Sequence, residues 1–256
     1  MILTMDIGNT NIKCAAFDGE LMLAYWRIST NRDMSSDEYG MLMLNLLDHY
    51  GVDVKQIDGV IVSSVVPTVN FTIDHMCRNY IGHAPMVVAP GIKTGINIKY
   101  DSPSGLGSDR IANAVGAYEI YGGPCIYIDF GTATTFGVVS AKGEFLGGAI
   151  CPGIKLSSEA LVSSTSKLPK FELIKPSEVI NRNTIGNMQS GLLYGHIGMV
   201  KYLIKRMREE IGAPGAKVIA TGGMSSLIAT DTGIIDEINA LLTLKGLYFL
   251  YKKNYI

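Results

Sequence analysis

One short pattern occurs twice in this chain and limits what it can fold into. An apolar, strand-like run ends in Asp, and a Gly and a hydroxyl-bearing residue follow it. The first copy is Met5-Asp6-Ile7-Gly8-Asn9-Thr10, and the second is Ile128-Asp129-Phe130-Gly131-Thr132-Ala133-Thr134. What surrounds each copy is also alike. In the first half, β-rich runs at 2–6, 12–17 and 21–29 are separated by turn signals at Gly8-Asn9 and Asp18-Gly19, which reads as an antiparallel meander. Tyr39, Leu42, Met43, Leu46 and Leu47 then recur at helical spacing within 35–50. A strand at 59–65, a helix at 67–80 and a strand at 86–89 continue as an alternation. The second half repeats the scheme with strands at 125–129 and 135–140, a turn at Lys142-Gly143 and a strand ending near Cys151. A long helix at 184–210, a strand at 217–220 and a last helix at about 236–251 complete it. A meander followed by alternation, written twice, predicts an α/β fold of two duplicated domains, each a mixed sheet flanked by helices. The stretch 90–107, rich in Gly, Pro, Asp and Ser, leads into a predicted helix over 108–121. The division is therefore placed at 1–116 and 117–256.

The length of 256 residues accommodates two such domains. With 22 basic against 23 acidic residues, the chain lacks the basic footprint of a nucleic-acid binder, which leaves small molecules as the expected partners. Cys14, Cys77, Cys125 and Cys151 have no CxxC spacing, and His49, His75, His83 and His196 have no metal-ligand spacing, so the cysteines read as reduced core residues. No signal-peptide pattern opens the sequence, and no apolar run reaches the roughly 20 residues of a membrane helix. No membrane association and a cytoplasmic location are expected.

Each copy of the repeated pattern suits a polyphosphate. Glycine lets the backbone approach an anion, and Asn9, Thr10, Asn11, Thr132 and Thr134 offer neutral donors. Asp6 cannot cradle phosphate itself; its carboxylate suits Mg²⁺, directly or through water, and Lys13 adds positive charge. Either turn alone also fits an ordinary hairpin, so the recurrence carries the reading. Thr221-Gly222-Gly223 follows a strand and would let a flat adenine and its ribose lie against the backbone, or else marks a helix entry. Gly147-Gly148-Ala149-Ile150-Cys151-Pro152-Gly153 reads as a strand-to-helix corner or as a close passage for a ligand, and Cys151 receives no role. In Gly107-Ser108-Asp109-Arg110, Ser108 caps the predicted helix beside a solvated charge pair, or the neighbours divide a chemical task. In the second case Asp109 takes a proton from an attacking hydroxyl and Arg110 grips a substrate carboxylate.

Taken in order, the run from Asp6 to Lys13, Gly107 to Arg110, Asp129 to Phe136, Gly147 to Gly153 and Thr221 to Gly223 resemble type III pantothenate kinase. The likeness spans nearly the whole chain, through Lys167-Leu168-Pro169, Asn183-Thr184 and the stretch Leu242 to Leu247. It implies the actin-like fold of acetate and sugar kinases: two ribonuclease-H-like domains with mixed five-stranded sheets and ATP between them. It implies ATP-dependent phosphorylation of pantothenate to 4′-phosphopantothenate, the first step of coenzyme A biosynthesis, with Mg²⁺ and either K⁺ or NH₄⁺. Carried over position by position, it puts Asp6, Ile7, Gly8, Asn9, Thr10, Asn11, Ile12, Lys13 and Thr132 at ATP, where Gly222 and Gly223 join them on the reading above. Asp109 becomes the proton acceptor, and Tyr100, Gly107, Ser108, Asp109 and Arg110 surround pantothenate. Asp129 is implied at the monovalent cation, and Thr184 touches substrate across a homodimer, which the apolar helix over 111–118 also favours. Two other readings stand beside this one: a sugar or acetate kinase of the same superfamily, and a nonenzymatic regulatory relative. The acids at Asp6, Asp109 and Asp129 favour the enzyme.

Overall fold

The computed structural model describes residues 1–102, 105–229 and 232–255. They gather into two compact units, Met1–Glu119 with Leu242–Ile256, and Ile120–Leu241. In chain order the first unit holds β1 (Ile2–Ile7), β2 (Asn11–Asp18), β3 (Leu21–Ser29), α1 (Ser36–His49), β4 (Gly59–Ser64), α2 (Pro67–Met76), β5 (Met86–Val87), β6 (Asn97–Ile98) and α3 (Ser108–Tyr121). The second holds β7 (Cys125–Phe130), β8 (Ala133–Val139), β9 (Glu144–Gly147), β10 (Ile150–Pro152), α4 (Ile154–Ser163), α5 (Thr184–Glu210), β11 (Lys217–Thr221), α6 (Ser225–Ala229) and β12 (Glu237–Ile238). The chain then returns to the first unit as α7 (Leu242–Asn254).

The duplication expected from the sequence is visible strand by strand. In the first unit the order is β3-β2-β1-β4-β5, antiparallel from β3 to β1 and parallel from β1 to β5. In the second, β9-β8-β7-β11-β12 follows the same path with the same directions, and β10 pairs with the first residues of β8. Each Asp of the repeated pattern therefore sits near the carboxyl end of a central strand, β1 or β7. Central strands are covered on both faces, and Leu3, Met5 and Ile7 of β1 have no solvent exposure at all. A capping box between Ser35 and Glu38 starts α1, whose Tyr39, Met43 and Leu47 join the first core.

Three expectations change. The last helix begins at Leu242 rather than near 236, because the Asp236 N–H donates to the Val218 carbonyl and its carboxylate accepts from the Val218 N–H. Glu237 and Ile238 then extend the second sheet instead of a helix. α7 packs with the first unit, whereas a division at 116/117 assigned it to the second; its apolar stripe does not reveal which sheet it covers. There Tyr248 stacks on Phe17 with ring centroids 4.8 Å apart, and Thr243 Oγ1 donates to Asn113 Oδ1 over 2.8 Å. Last, the apolar face of α3 is consumed inside the first unit, since Ile111, Ala112, Ala114, Val115 and Ala117 are buried and Gly116 lies against Gly246 of α7. These side chains are therefore covered without a partner subunit.

Cys14, Cys77 and Cys125 are buried free thiols, as expected of core residues. Burial pushes Cys77 and Cys125 up to about 12, so neither is a thiolate at neutral pH. Among the described residues no helix is long and apolar enough to cross a membrane.

Candidate active site

The first unit gathers its predicted site residues at one end of its sheet. Asp6 is in register with Lys13 on β2 and with Ser63 on β4. Only 7% exposed, it keeps its carboxylate 3.7 Å from the Lys13 ammonium. Between β1 and β2 the chain reverses through Gly8, Asn9 and Thr10, with the Gly8 N–H donating to the Asn11 carbonyl over 3.0 Å. A Cβ on Gly8 would stand 3.2 Å from that same oxygen, which keeps the position tight for any other residue. Asn9 and Thr10 face solvent.

Ser108 ties a second element to this sheet end. Its hydroxyl accepts from the Ser63 hydroxyl and the Ser64 N–H, each at 3.0 Å, and donates to the Ser64 carbonyl at 3.1 Å. Ser63 is the neighbour of Asp6, so α3 begins beside the strand end that carries Asp6. Ser108 is thus a bolt between helix and sheet, and the capping alternative does not describe it. The next residue, Asp109, folds its Oδ1 back to accept from the Arg110 N–H at 2.8 Å. Gly107 makes room for this, because a Cβ there would stand 2.5 Å from Oδ1. A carboxylate at a helix start interacts favourably with the helix dipole. Arg110 is 6% exposed and lies along Tyr100, its Cζ 5.7 Å from the ring centroid and its Nη1 3.5 Å from the phenol oxygen. Tyr100 and Gly107 to Arg110 are therefore brought together.

The second unit repeats the first cluster with different neighbours. Asp129 is in register with Thr135 on β8 and Thr221 on β11. Its turn closes through a Gly131 N–H to Ala133 carbonyl bond of 3.1 Å and leaves Thr132 exposed. Gly222, at φ +92, presses against this strand: a Cβ there would meet Asp129 Oδ1 at 2.4 Å and the Phe130 backbone at 2.6 Å. The Thr221 hydroxyl is buried and has no hydrogen-bond partner among the described residues. A carboxylate beside such an orphaned oxygen is a hard donor set suited to a cation. Among the described residues no group of three or more His, Cys, Asp and Glu side chains could hold a metal. Gly223 is exposed next to Gly222.

The Gly147 to Gly153 segment resolves into the corner reading. Gly148 lies against the Phe136 carbonyl and Gly153 against the carbonyls of Gly131 and Thr132, so both glycines are used by protein backbone. Thr184 opens α5 behind its cap Asn183, whose side chain accepts from the Gly186 N–H at 2.8 Å. It lines a cleft of about 450 Å³ with Leu161, Leu168, Asn187, Met188 and Gly191, none of which belongs to the β7–β8 turn.

One residue under that turn carries no sequence signal. His196 of α5, 8% exposed, shares a 3.0 Å hydrogen bond with Thr134 Oγ1. Burial lowers its pKa from the ordinary 6.5. The unfolded chain then binds the proton better, so this contribution to stability is whole above about 6.5 and fades as pH falls below it. Melting between pH 7 and pH 5 is expected to fall more in the wild type than in His196→Gln, as calorimetry would show. Equal slopes would mean that burial of the imidazole carries no cost.

Residues 2–206 match the family model described as type III pantothenate kinase. A type III pantothenate kinase of Halalkalibacterium halodurans is 48% identical over 254 residues, covering 99% of this chain and all of that one. The chain belongs to the type III pantothenate kinase family. As a type III pantothenate kinase it is a phosphotransferase that phosphorylates pantothenate at the expense of ATP, in coenzyme A biosynthesis. Solved structures agree on the fold. A Campylobacter jejuni protein described as a conserved Baf family transcriptional activator superposes with a TM-score of 0.64 at 20% identity, covering 98% of both chains. A Listeria monocytogenes protein described as an N-acetylmannosamine kinase gives 0.51 at 13% identity, again over 98% of both. At such identities the likeness concerns architecture alone, and the family match sets aside the sugar-kinase reading.

Proposed function

We propose that Asp109 is the general base of the pantothenate kinase reaction and that Arg110, with Tyr100, receives the pantothenate carboxylate. The observation that carries this is the Ser108 bolt, which anchors the start of α3 to the strand neighbouring Asp6. Asp6 to Lys13 bind the ATP phosphates, joined by Thr132, while Gly222 and Gly223 admit the nucleoside. The pantothenate hydroxyl gives its proton to Asp109, a bond forms from that oxygen to the γ-phosphorus, and the bond to the β-phosphate oxygen breaks, with ADP keeping the electron pair. Little covalent work falls to the protein; its residues position the partners and exclude wrong geometries. Asp6 would hold Mg²⁺ and Asp129 a K⁺ or NH₄⁺ ion, both of which supply positive charge against the phosphates.

We also propose a homodimer in which Thr184 serves the partner's substrate. Support comes from the apolar side chains beside it, since Val179, Ile180 and Ile185 are 63%, 85% and 42% exposed. Light scattering at assay concentration decides it. A cytoplasmic location belongs to the same reading.

A coupled assay with ATP, Mg²⁺, pantothenate and the chloride of sodium, potassium or ammonium tests the cation. Turnover in sodium is expected to be low and to rise severalfold in either of the other salts. Equal rates in all three would remove the cation from Asp129.

A further inference from the structure

The β1–β2 turn is braced by a neighbour that the repeated pattern does not mark. Where β3 ends, the Thr30 hydroxyl donates to the Gly8 carbonyl over 2.6 Å, and the Thr30 N–H donates to the Thr10 carbonyl over 3.0 Å. Both ends of the turn are thereby tied to one residue. The chain after Thr30 is held in turn by Tyr39, a fully buried side chain whose hydroxyl accepts from the Asn31 N–H at 2.9 Å and donates to the Asn31 carbonyl at 2.8 Å. The Asn31 side chain accepts from the Asp33 N–H at 3.0 Å, closing a short Asx turn around residue 32. Arg32 is presented from that frame, and its Nη2 reaches Asn9 Oδ1 over a long 3.4 Å contact.

The charges on the two cations at this turn differ in what offsets them. Lys13 stands 3.7 Å from the Asp6 carboxylate, which cancels much of its field. Arg32 meets a neutral carboxamide at the turn, so that contact leaves its charge intact. A guanidinium also offers a planar fork of donors matched to phosphate oxygens, which an ammonium does not. We infer that Arg32 is a further binding residue for ATP, its guanidinium meeting the terminal phosphates where they lie on the Gly8 to Thr10 turn.

The inference rests on the assignment of that turn to the ATP phosphates, and the test separates the two. Steady-state kinetics of the full chain would compare wild type, Arg32→Ala, Arg32→Lys and Lys13→Ala. In Arg32→Ala the KM for ATP is expected to rise roughly tenfold, a value tempered by the exposure of the site, with the KM for pantothenate nearly unchanged. Arg32→Lys should recover part of the loss. An unaltered KM for ATP in Arg32→Ala would overturn the inference, and it would leave the turn assignment standing if Lys13→Ala still loses ATP. If neither variant loses ATP, the turn assignment falls as well. A rise in both KM values together with a lower melting temperature would also overturn it, since that is what loss of a mere brace would do.

Discussion

Asp109→Asn is expected to lower turnover by about 10²- to 10⁴-fold while the KM for ATP stays near the wild-type value. Asparagine keeps the size of the side chain and an oxygen that can still accept the Arg110 N–H now held at 2.8 Å, so the start of α3 survives the change. What it cannot do is take the hydroxyl proton. The bolt at Ser108 is untouched, and so are the turns assigned to ATP, which predicts a loss confined to the chemical step. Phosphoryl transfer through a loose transition state keeps the proton on the nucleophile until late, which pulls the expected loss toward the small end of the range. Near-wild-type turnover, or a defect seen only in ATP affinity, would make Asp109 a structural acid of the helix start.

The second large effect is on stability. Gly246→Ala is expected to cost about 2 kcal/mol or more and to lower the melting temperature by on the order of 5 °C. In an exposed helix the same change would gain up to about 1 kcal/mol through the unfolded chain. Here the new Cβ would stand 1.9 Å from the Ala112 carbonyl oxygen and 3.2 Å from the Gly116 N. Both are backbone atoms, so no side chain can turn aside and α7 must move off α3. The buried Thr243 to Asn113 bond of 2.8 Å lies on the same contact and would be stretched with it. Because α3 carries Asp109, activity should fall along with stability. A melting temperature at or above wild type in calorimetry would show that the two helices separate at little cost.

Periodicity and recurrence made much of this molecule legible. Strand-Asp-Gly-hydroxyl written twice led to two sheets that share one five-strand path, and the helical spacing of Tyr39, Met43 and Leu47 led to a helix that covers the first of them. What stayed hidden depends on long-range partners. A serine before a helical run looks like a cap whether or not a strand 45 residues upstream donates to its hydroxyl, as Ser63 does for Ser108. His196 meets Thr134 across 62 residues, and no local pattern foretells that bond. Thr30, which braces the motif, and Arg32, which reaches it, lie past the end of β3, outside any reading of the motif itself. The apolar run of α3 suggested a partner subunit, and nothing local in it showed that Gly116 lies against Gly246 of α7.

The return of α7 to the first unit bears on the order in which this chain is made. A ribosome delivers residues from the amino end, and domains tend to fold as they emerge. The second unit is one uninterrupted stretch, Ile120–Leu241, and can close as soon as it is out. The first is begun earlier and completed later, because Gly246 and Tyr248, which seat against α3 and β2, are synthesised only after the whole second unit. Asp109 therefore exists in the nascent chain long before the helix that fixes its own helix in place, and the half that begins first is the half that matures last.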